Sequence, residues 1–417
     1  MILLAAILAC ADCHKGIVDG YRRTPMANSS GTVRASSEAA GVVSHPSAHY
    51  QIHVSGDRLN LSWSKHSTDL SFFIGSRRMG RSYAYRYEDH LYQAPVGYYA
   101  NRRKWDMAPG YEQDRAPDFS RPIGVECLFC HATRFQLVQG TVNRYAELTP
   151  GIGCARCHGD PADHGGIVNP AKLAPRLRDS VCEQCHLSGA ARIPRQGARI
   201  ADFKPGEDLS RYVEVFTGGE PGSGVKVNGH AEALAQSSCK QASGDRLWCG
   251  TCHSPHRAPD YRAACTSCHG KPHSTGDCAS CHMTKSRAND GGHTVFTNHA
   301  IGKTKQRAFG SYFGREPSPR DLGLAYAEIA TRNRDTALLE RAWPLLRQAS
   351  ASPDPAVDAA IAGMLAADGK TEQAVAFYRR SLAGDSLQPA VLLKLAELLK
   401  SSAERERALR MLPRPPF

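Results

Sequence analysis

One pattern constrains this chain more than any other: C-x-x-C-H occurs seven times. The copies are Cys10-Cys13-His14, Cys127-Cys130-His131, Cys154-Cys157-His158, Cys182-Cys185-His186, Cys249-Cys252-His253, Cys265-Cys268-His269 and Cys278-Cys281-His282, which take up fourteen of the 15 Cys. Shuffling the composition gives roughly 0.02 such matches, so the repetition is not an accident of Cys content. The spacing has a mechanical reason. Each thiol can form a thioether to one vinyl group of haem, and the His that follows is placed to coordinate the iron. Four-cysteine zinc sites also use C-x-x-C pairs, yet they need no His after every pair, and seven pairs do not divide into whole sites. A thioredoxin-like redox pair and a disulfide framework explain the repetition less well, since adjacent pairs cannot staple distant segments. The implied cofactors are seven covalently bound haem c groups, each with its iron.

The motifs begin at 10, 127, 154, 182, 249, 265 and 278, so one isolated motif precedes two groups of three. All Cys and His lie between Cys10 and His299, about 41 residues per motif, near the size at which a chain needs staples to fold. The expected organisation is a haem-packed cytochrome domain over 10–319, with porphyrin faces replacing side chains as apolar filling. Residues 50–119 stand apart through their aromatics, among them Tyr50, Trp63, Phe72, Phe73, Tyr83, Tyr85, Tyr92, Trp105 and Tyr111. Period-two stretches such as Tyr50–Val54 and Arg58–Trp63, separated by Ser55-Gly56-Asp57, predict a small antiparallel sheet or hairpin insertion whose aromatics pack on haems.

From about Arg320 the composition turns to Ala, Leu, Glu and Arg without Cys or His, and helical periodicity runs to the end. Ile361-Ala362 and Ala374 recur 34 residues later as Leu395-Ala396 and Ala408. This region, 320–417, resembles tetratricopeptide repeats, an all-α helical array expected to dock on the haem domain. The fold class expected overall is therefore mixed, mainly α and irregular, with a small β insertion and a helical repeat domain. Residues 1–9, Met1 to Ala9, read as the h-region of a signal peptide without its basic n-region, as a start site placed too far downstream would leave it.

A chain of 417 residues with 52 Lys plus Arg against 40 Asp plus Glu invites a nucleic-acid reading. The haem count answers it differently. From Arg320 onward there are 14 basic and 12 acidic residues, leaving 38 basic against 28 acidic in the rest. Seven haems would bring fourteen propionates, so Arg and Lys serve as internal partners for cofactor acid groups and no nucleic-acid partner is expected. Mean hydropathy is −0.42 and no run of about 18 apolar residues occurs, so no integral membrane span is expected.

Beyond the seven proximal His, eleven His remain as sources of sixth ligands. Short links prevent His256, three residues after His253, and His273, four after His269, from wrapping to the other face of the same porphyrin, so each is expected on a neighbouring haem. His164, six residues after His158, follows the same rule. His293 and His299 follow the last motif and are expected to reach back; His45 and His230 complete the distal set, while His90, in Glu88-Asp89-His90, is expected to be exposed. Met26 and Met79 are weaker distal candidates, because Met is the other common axial ligand of c-type haem.

These motifs, with Cys154–Gly159 and His164, Cys249–His256, His293–His299, Ile74-Gly75-Ser76 and Met107-Ala108-Pro109-Gly110-Tyr111, resemble multihaem cytochromes related to the tetrahaem electron carrier of nitrifying bacteria, many of which carry C-terminal tetratricopeptide repeats. The resemblance implies electron transfer. Where relatives have a His after the Gly-Ser segment this chain has Met79, which leaves open the ligation of one haem. Relatives also often place a Cys ahead of the fifth motif; Cys239 stands there as the odd thiol.

The expected function is extracytoplasmic electron transfer, periplasmic or extracellular, between redox protein donors and acceptors, with no catalytic residue. Two alternatives stay open: a nitrogen or sulfur oxidoreductase with one open-coordination haem, and a subunit of a conductive filament. The helical repeats could bind a partner protein or a second copy.

Overall fold

The structure is a computed structural model that describes residues 2–76, 78–112, 114–160, 166–218, 226–257, 260–270, 273, 275–302 and 308–417. Helix α1 (Ile2–Tyr21) kinks at His14 and leads into nine strands: β1 (Ser30–Thr32), β2 (Gly41–His45), β3 (Ala48–Ser55), β4 (Arg58–Trp63), β5 (His66–Leu70), β6 (Phe72–Ile74), β7 (Gly80–Tyr87), β8 (His90–Tyr99) and β9 (Lys104–Met107). Strands β2 to β5 form an antiparallel meander, with Tyr50 opposite Trp63 and Ile52 opposite Leu61. The other five make a sheet in the order β1-β6-β7-β8-β9.

The β structure is larger than the sequence suggested: it starts at Ser30, before position 50, and comprises two sheets. Alternation puts Leu59, Leu61 and Trp63 of β4 on one face, where they meet Tyr83, Tyr85, Tyr92 and Val96 of the second sheet. These aromatics therefore pack chiefly on one another. Trp63 stacks on Phe119 at 4.0 Å between ring centroids, and Tyr85 donates its hydroxyl proton to the Phe119 carbonyl. Burying such rings with their polar ends bonded is what stabilises an aromatic interior.

The motifs follow on short elements: α2 (Val125–His131), the hairpin β10 (Ala132–Leu137) and β11 (Tyr145–Pro150), α3 (Ala155–His158), α4 (Pro175–His186), the pair β12 (Ala191–Pro194) and β13 (Val213–Thr217), α5 (His230–Ala235), α6 (Ser238–Ser243), α7 (Cys249–Cys252), α8 (Tyr261–Thr266), α9 (Cys278–His282), the pair β14 (Lys285–Arg287) and β15 (Val295–Thr297), and β16 (Gly310–Ser311), which extends the β12-β13 sheet.

Six helices close the chain as three hairpins: α10 (Pro319–Asn333) with α11 (Thr336–Ala349), α12 (Pro355–Ala367) with α13 (Thr371–Gly384), and α14 (Pro389–Leu399) with α15 (Ser402–Met411). Side-chain N-caps start the first three of these helices, from Ser318, Asp335 and Asp354. Their apolar faces share one interior with Ala191, Ile193 and Phe216 of the β12-β13 sheet, so the array docks on the motif region. A buried ion network fixes the junction. Arg195 reaches Glu214 at 2.6 Å and Asp321 at 2.5 Å, while Arg320 reaches Asp321 at 2.6 Å and Asp354 at 2.7 Å. At the far end Tyr92 donates to the Pro413 carbonyl, and Phe417 packs against Trp63, Tyr85 and Phe119. The array thus touches both the motif region and the β sheets.

Candidate haem-attachment site

In a helix, positions i, i+3 and i+4 share a face, so a C-x-x-C-H run presents two thiols and an imidazole to one side. Each of the seven motifs includes helical residues, on α1, α2, α3, α4, α7, α8 and α9. All 15 Cys are free of disulfides. Thiols of different motifs lie side by side: Cys130 with Cys185, Cys182 with Cys249, Cys10 with Cys154 and Cys265 with Cys278. Cys239, on α6, lies within electrostatic range of Cys252 and Cys265.

The residues between motif cysteines tie three motifs together. Arg156 of the third motif donates to the Phe129 carbonyl of the second at 2.9 Å and to Gln184 Oε1 of the fourth at 3.0 Å, and its guanidinium lies 4.2 Å from the Phe129 ring centroid. Gln184 returns a bond to the Arg156 carbonyl at 3.0 Å. Phe129, Cys130 and Cys185 share an apolar cluster with Leu187, Leu209 and Val215.

Four distal candidates meet a motif imidazole. His256 stacks with His158 of the third motif at 5.9 Å between ring centroids, His230 meets His186 of the fourth at 5.3 Å, His299 stacks with His253 of the fifth at 5.9 Å, and His273 meets His282 of the seventh at 5.6 Å. His230 and His299 are themselves 4.7 Å apart, which joins two pairs into a row. The remaining candidates lie elsewhere. His45 sits at the β2–β3 turn with its Nδ1 2.9 Å from Ser47 Oγ, and His293 faces Asp106 at 3.3 Å and the Tyr99 ring. Met79 precedes β7, its carbonyl accepting from Ala100 N. Met26 belongs to the turn that covers the second motif, since its carbonyl accepts from Ile152 N while that of Ser29 faces His131 Nδ1 at 3.2 Å. His164 lies outside the described residues. Among the described residues no imidazole meets His14, His131 or His269 ring to ring.

His90 departs from expectation. It is 4% exposed, at the start of β8, because the β7–β8 hairpin tip folds against Arg144. Its Nδ1 lies 2.8 Å from the Glu88 carbonyl. Sequence gave no hint of that burial, since the flanking acids read as an exposed turn.

The donor chemistry suits haem. A carbonyl only accepts, so Nδ1 of His131, of His158 (2.8 Å from the Val168 carbonyl) and of His299 (3.1 Å from that of Thr297) carries the proton, and Nε2 keeps its lone pair for a metal. Burial, and then neighbouring imidazoles, push His186 down to about 4 and His230 to about 3, so both rings are neutral as iron ligation requires. The Nδ1 atoms of His186 and His230 are buried without a hydrogen-bond partner among the described residues. Burial likewise holds Cys157 as a thiol, raised to about 11. Among the described residues no three His, Cys, Asp or Glu converge as a metal cluster, and no helix is long and apolar enough to cross a membrane.

One approach of backbone to backbone holds the second motif. Gly151 has φ +72°, and a Cβ there would meet the Ala27 carbonyl at 2.2 Å, so only glycine permits its amide to reach the His131 carbonyl at 3.1 Å.

Residues 102–159 match the family described as cytochrome c554 and c-prime, a stretch that holds the second and third motifs. That match supports a c-type cytochrome with covalently bound haem and a role in electron transfer. No curated protein matches the chain. The crystal structure of the outer cell wall cytochrome OcwA is similar at 14% identity, covering 96% of this chain and 98% of that one, with a TM-score of 0.41.

Proposed function

We propose that the chain is a multihaem c-type cytochrome that binds seven haems through the fourteen motif cysteines and passes electrons between redox proteins outside the cytoplasm. The observation that carries this reading is the continuity of the motifs: α4 packs against α2 and α3, α7 against α8, and α8 against α9. Haem supplies the one-electron chemistry when bound. The chain's own residues hold and insulate. His14, His131, His158, His186, His253, His269 and His282 are the proximal ligands. His256, His230, His299 and His273 serve as distal ligands of the third, fourth, fifth and seventh haems, and Met26 stands nearest the second as its candidate. Arg156, Arg178 and Arg192, partly or wholly buried among the motifs, are placed to pair with propionates. The three helical hairpins, tetratricopeptide-like in their spacing, offer a surface for a partner protein or a second copy.

Co-expression with a c-haem maturation system tests the reading. The expected result is seven haems per chain by pyridine haemochrome and mass, and low-spin EPR signals that nitrite and hydroxylamine leave unchanged. Absence of covalent haem would overturn it. A high-spin signal that shifts with either ligand would favour an oxidoreductase instead.

A further inference from the structure

Seven motifs contribute fourteen intervening residues, and two of those are acidic: Asp12, which is exposed, and Glu183, which is 3% exposed. Burying a carboxylate is costly unless it is paired, so the surroundings of Glu183 matter. Its Oε1 accepts from the Tyr312 hydroxyl at 2.7 Å, and its Oε2 faces Arg176 Nη2 at 2.7 Å. Arg176 also holds Asp208 at 3.1 Å and lies over the Phe313 ring. Arg192 and Asp179 are the other charged groups facing the site, Asp179 being bound by Arg178 at 2.8 Å, and the Cys249 thiol lies beside it. Arg176 and Asp208 are each about a third exposed and connect the carboxylate to water.

We propose that Glu183 sets the reduction potential of the haem bound by Cys182, Cys185 and His186 and couples its reduction to the uptake of one proton. The inference rests on the multihaem reading above. A negative charge buried between the two attachment cysteines favours the ferric haem, which carries one more positive charge than the ferrous one. When one electron arrives from a donor protein, Glu183 takes one proton from solvent onto its carboxylate, so the added negative charge is cancelled and nothing else is gained or lost. Burial raises the affinity of Glu183 for that proton, while Arg176 and the Tyr312 hydroxyl oppose it. The fourth motif is a telling place for such a group, because α4 touches α2 and α3 and its Cys182 lies beside Cys249 of the fifth motif.

Spectroelectrochemical titration of the fully loaded protein over a series of pH values tests this. In the wild type the reduction equilibrium of one haem falls tenfold per pH unit over part of the range, which is 59 mV for a one-electron couple. Glu183→Gln is expected to abolish that dependence and to favour reduction at least tenfold at the alkaline end. Tyr312→Phe keeps the ring packing and removes one donor to the carboxylate, so it should move the dependence to higher pH, and it serves as the test where Glu183→Gln does not fold. Seven haems with every potential equal to wild type in both variants would overturn the inference and leave the electron-transfer reading standing. Absence of covalent haem would sink both.

Discussion

The helical hairpins of 319–411 and the motif segment of 226–302 use opposite means of making an interior. In the hairpins Ala342, Leu346, Val357, Ile361, Ala362, Ala374 and Leu392 are completely buried, on helices of ten to fifteen residues. Residues 226–302 carry three of the seven motifs, yet Ala231 and Ala288 are their only buried apolar side chains among the described residues. Helices α5 to α9 have four to six residues each, far below the length at which a helix holds itself in water. One region is filled by its own side chains. The other has few buried apolar side chains of its own, and on the proposed reading the cofactors would be its filling.

The largest expected effect breaks that comparison directly. Expressed without haem maturation, the chain should lose amide-exchange protection throughout 226–302 and keep it in 319–411 and in the β sheets. Equal protection of the two regions in the haem-free chain would show that the motif segment has a core of its own.

The junction between the two kinds of structure comes next. Asp321 has a side chain 3% exposed and accepts from both Arg195 and Arg320, so Asp321→Ala takes one of two carboxylates from each guanidinium and leaves Arg195 with Glu214 and Arg320 with Asp354. A loss of about 3 kcal/mol, that of two hydrogen bonds between charged groups, is expected in urea unfolding. Ile361→Ala, inside the array, should cost about 2–5 kcal/mol by opening a cavity. A loss below about 1 kcal/mol for Asp321→Ala would mean the array is held by Phe216, Phe309 and Tyr326, which stack at 5.4 Å, with the ions contributing little.

How much of this is legible in sequence follows from the range of each interaction. The motif cysteines and the imidazoles that follow them are local, spaced within five residues, and so are the helical periods from 319 onward; both can be read directly. The Tyr50–Trp63 hairpin is local too. Strand β1 pairs with β6 across forty residues of meander, and its Ser-Gly-Thr sequence carries no alternation, so the second sheet could not be read. Which imidazoles meet depends on which helix lies opposite. The short-link rule sends His256 towards a neighbouring motif but could not specify His158 as the imidazole it meets. Tyr312 reaches Glu183 over 129 residues, and nothing near it in sequence marks that contact.

The smallest expected effect sharpens the contrast by placing one chemistry in both regions. Asp335 caps α11, its side chain accepting from Leu338 N at 3.1 Å, and Asp260 caps α8, accepting from Ala263 N at 2.9 Å. Both satisfy an orphan donor in the same way. In the array the cap stabilises a fourteen-residue helix whose burial is shared with its neighbours, so Asp335→Ala should cost about 0.5–2 kcal/mol in global unfolding. In the loaded motif segment α8 is expected to be held by the thioether at Cys265, on its own second turn, rather than by side-chain packing. Opening the cap then frees little that the covalent link does not already fix, and Asp260→Ala should stay within about 0.5 kcal/mol, as surface changes usually do. A cost for Asp260→Ala equal to that of Asp335→Ala would show that even here the chain's own hydrogen bonds, ahead of the cofactor, hold the attachment helix in place.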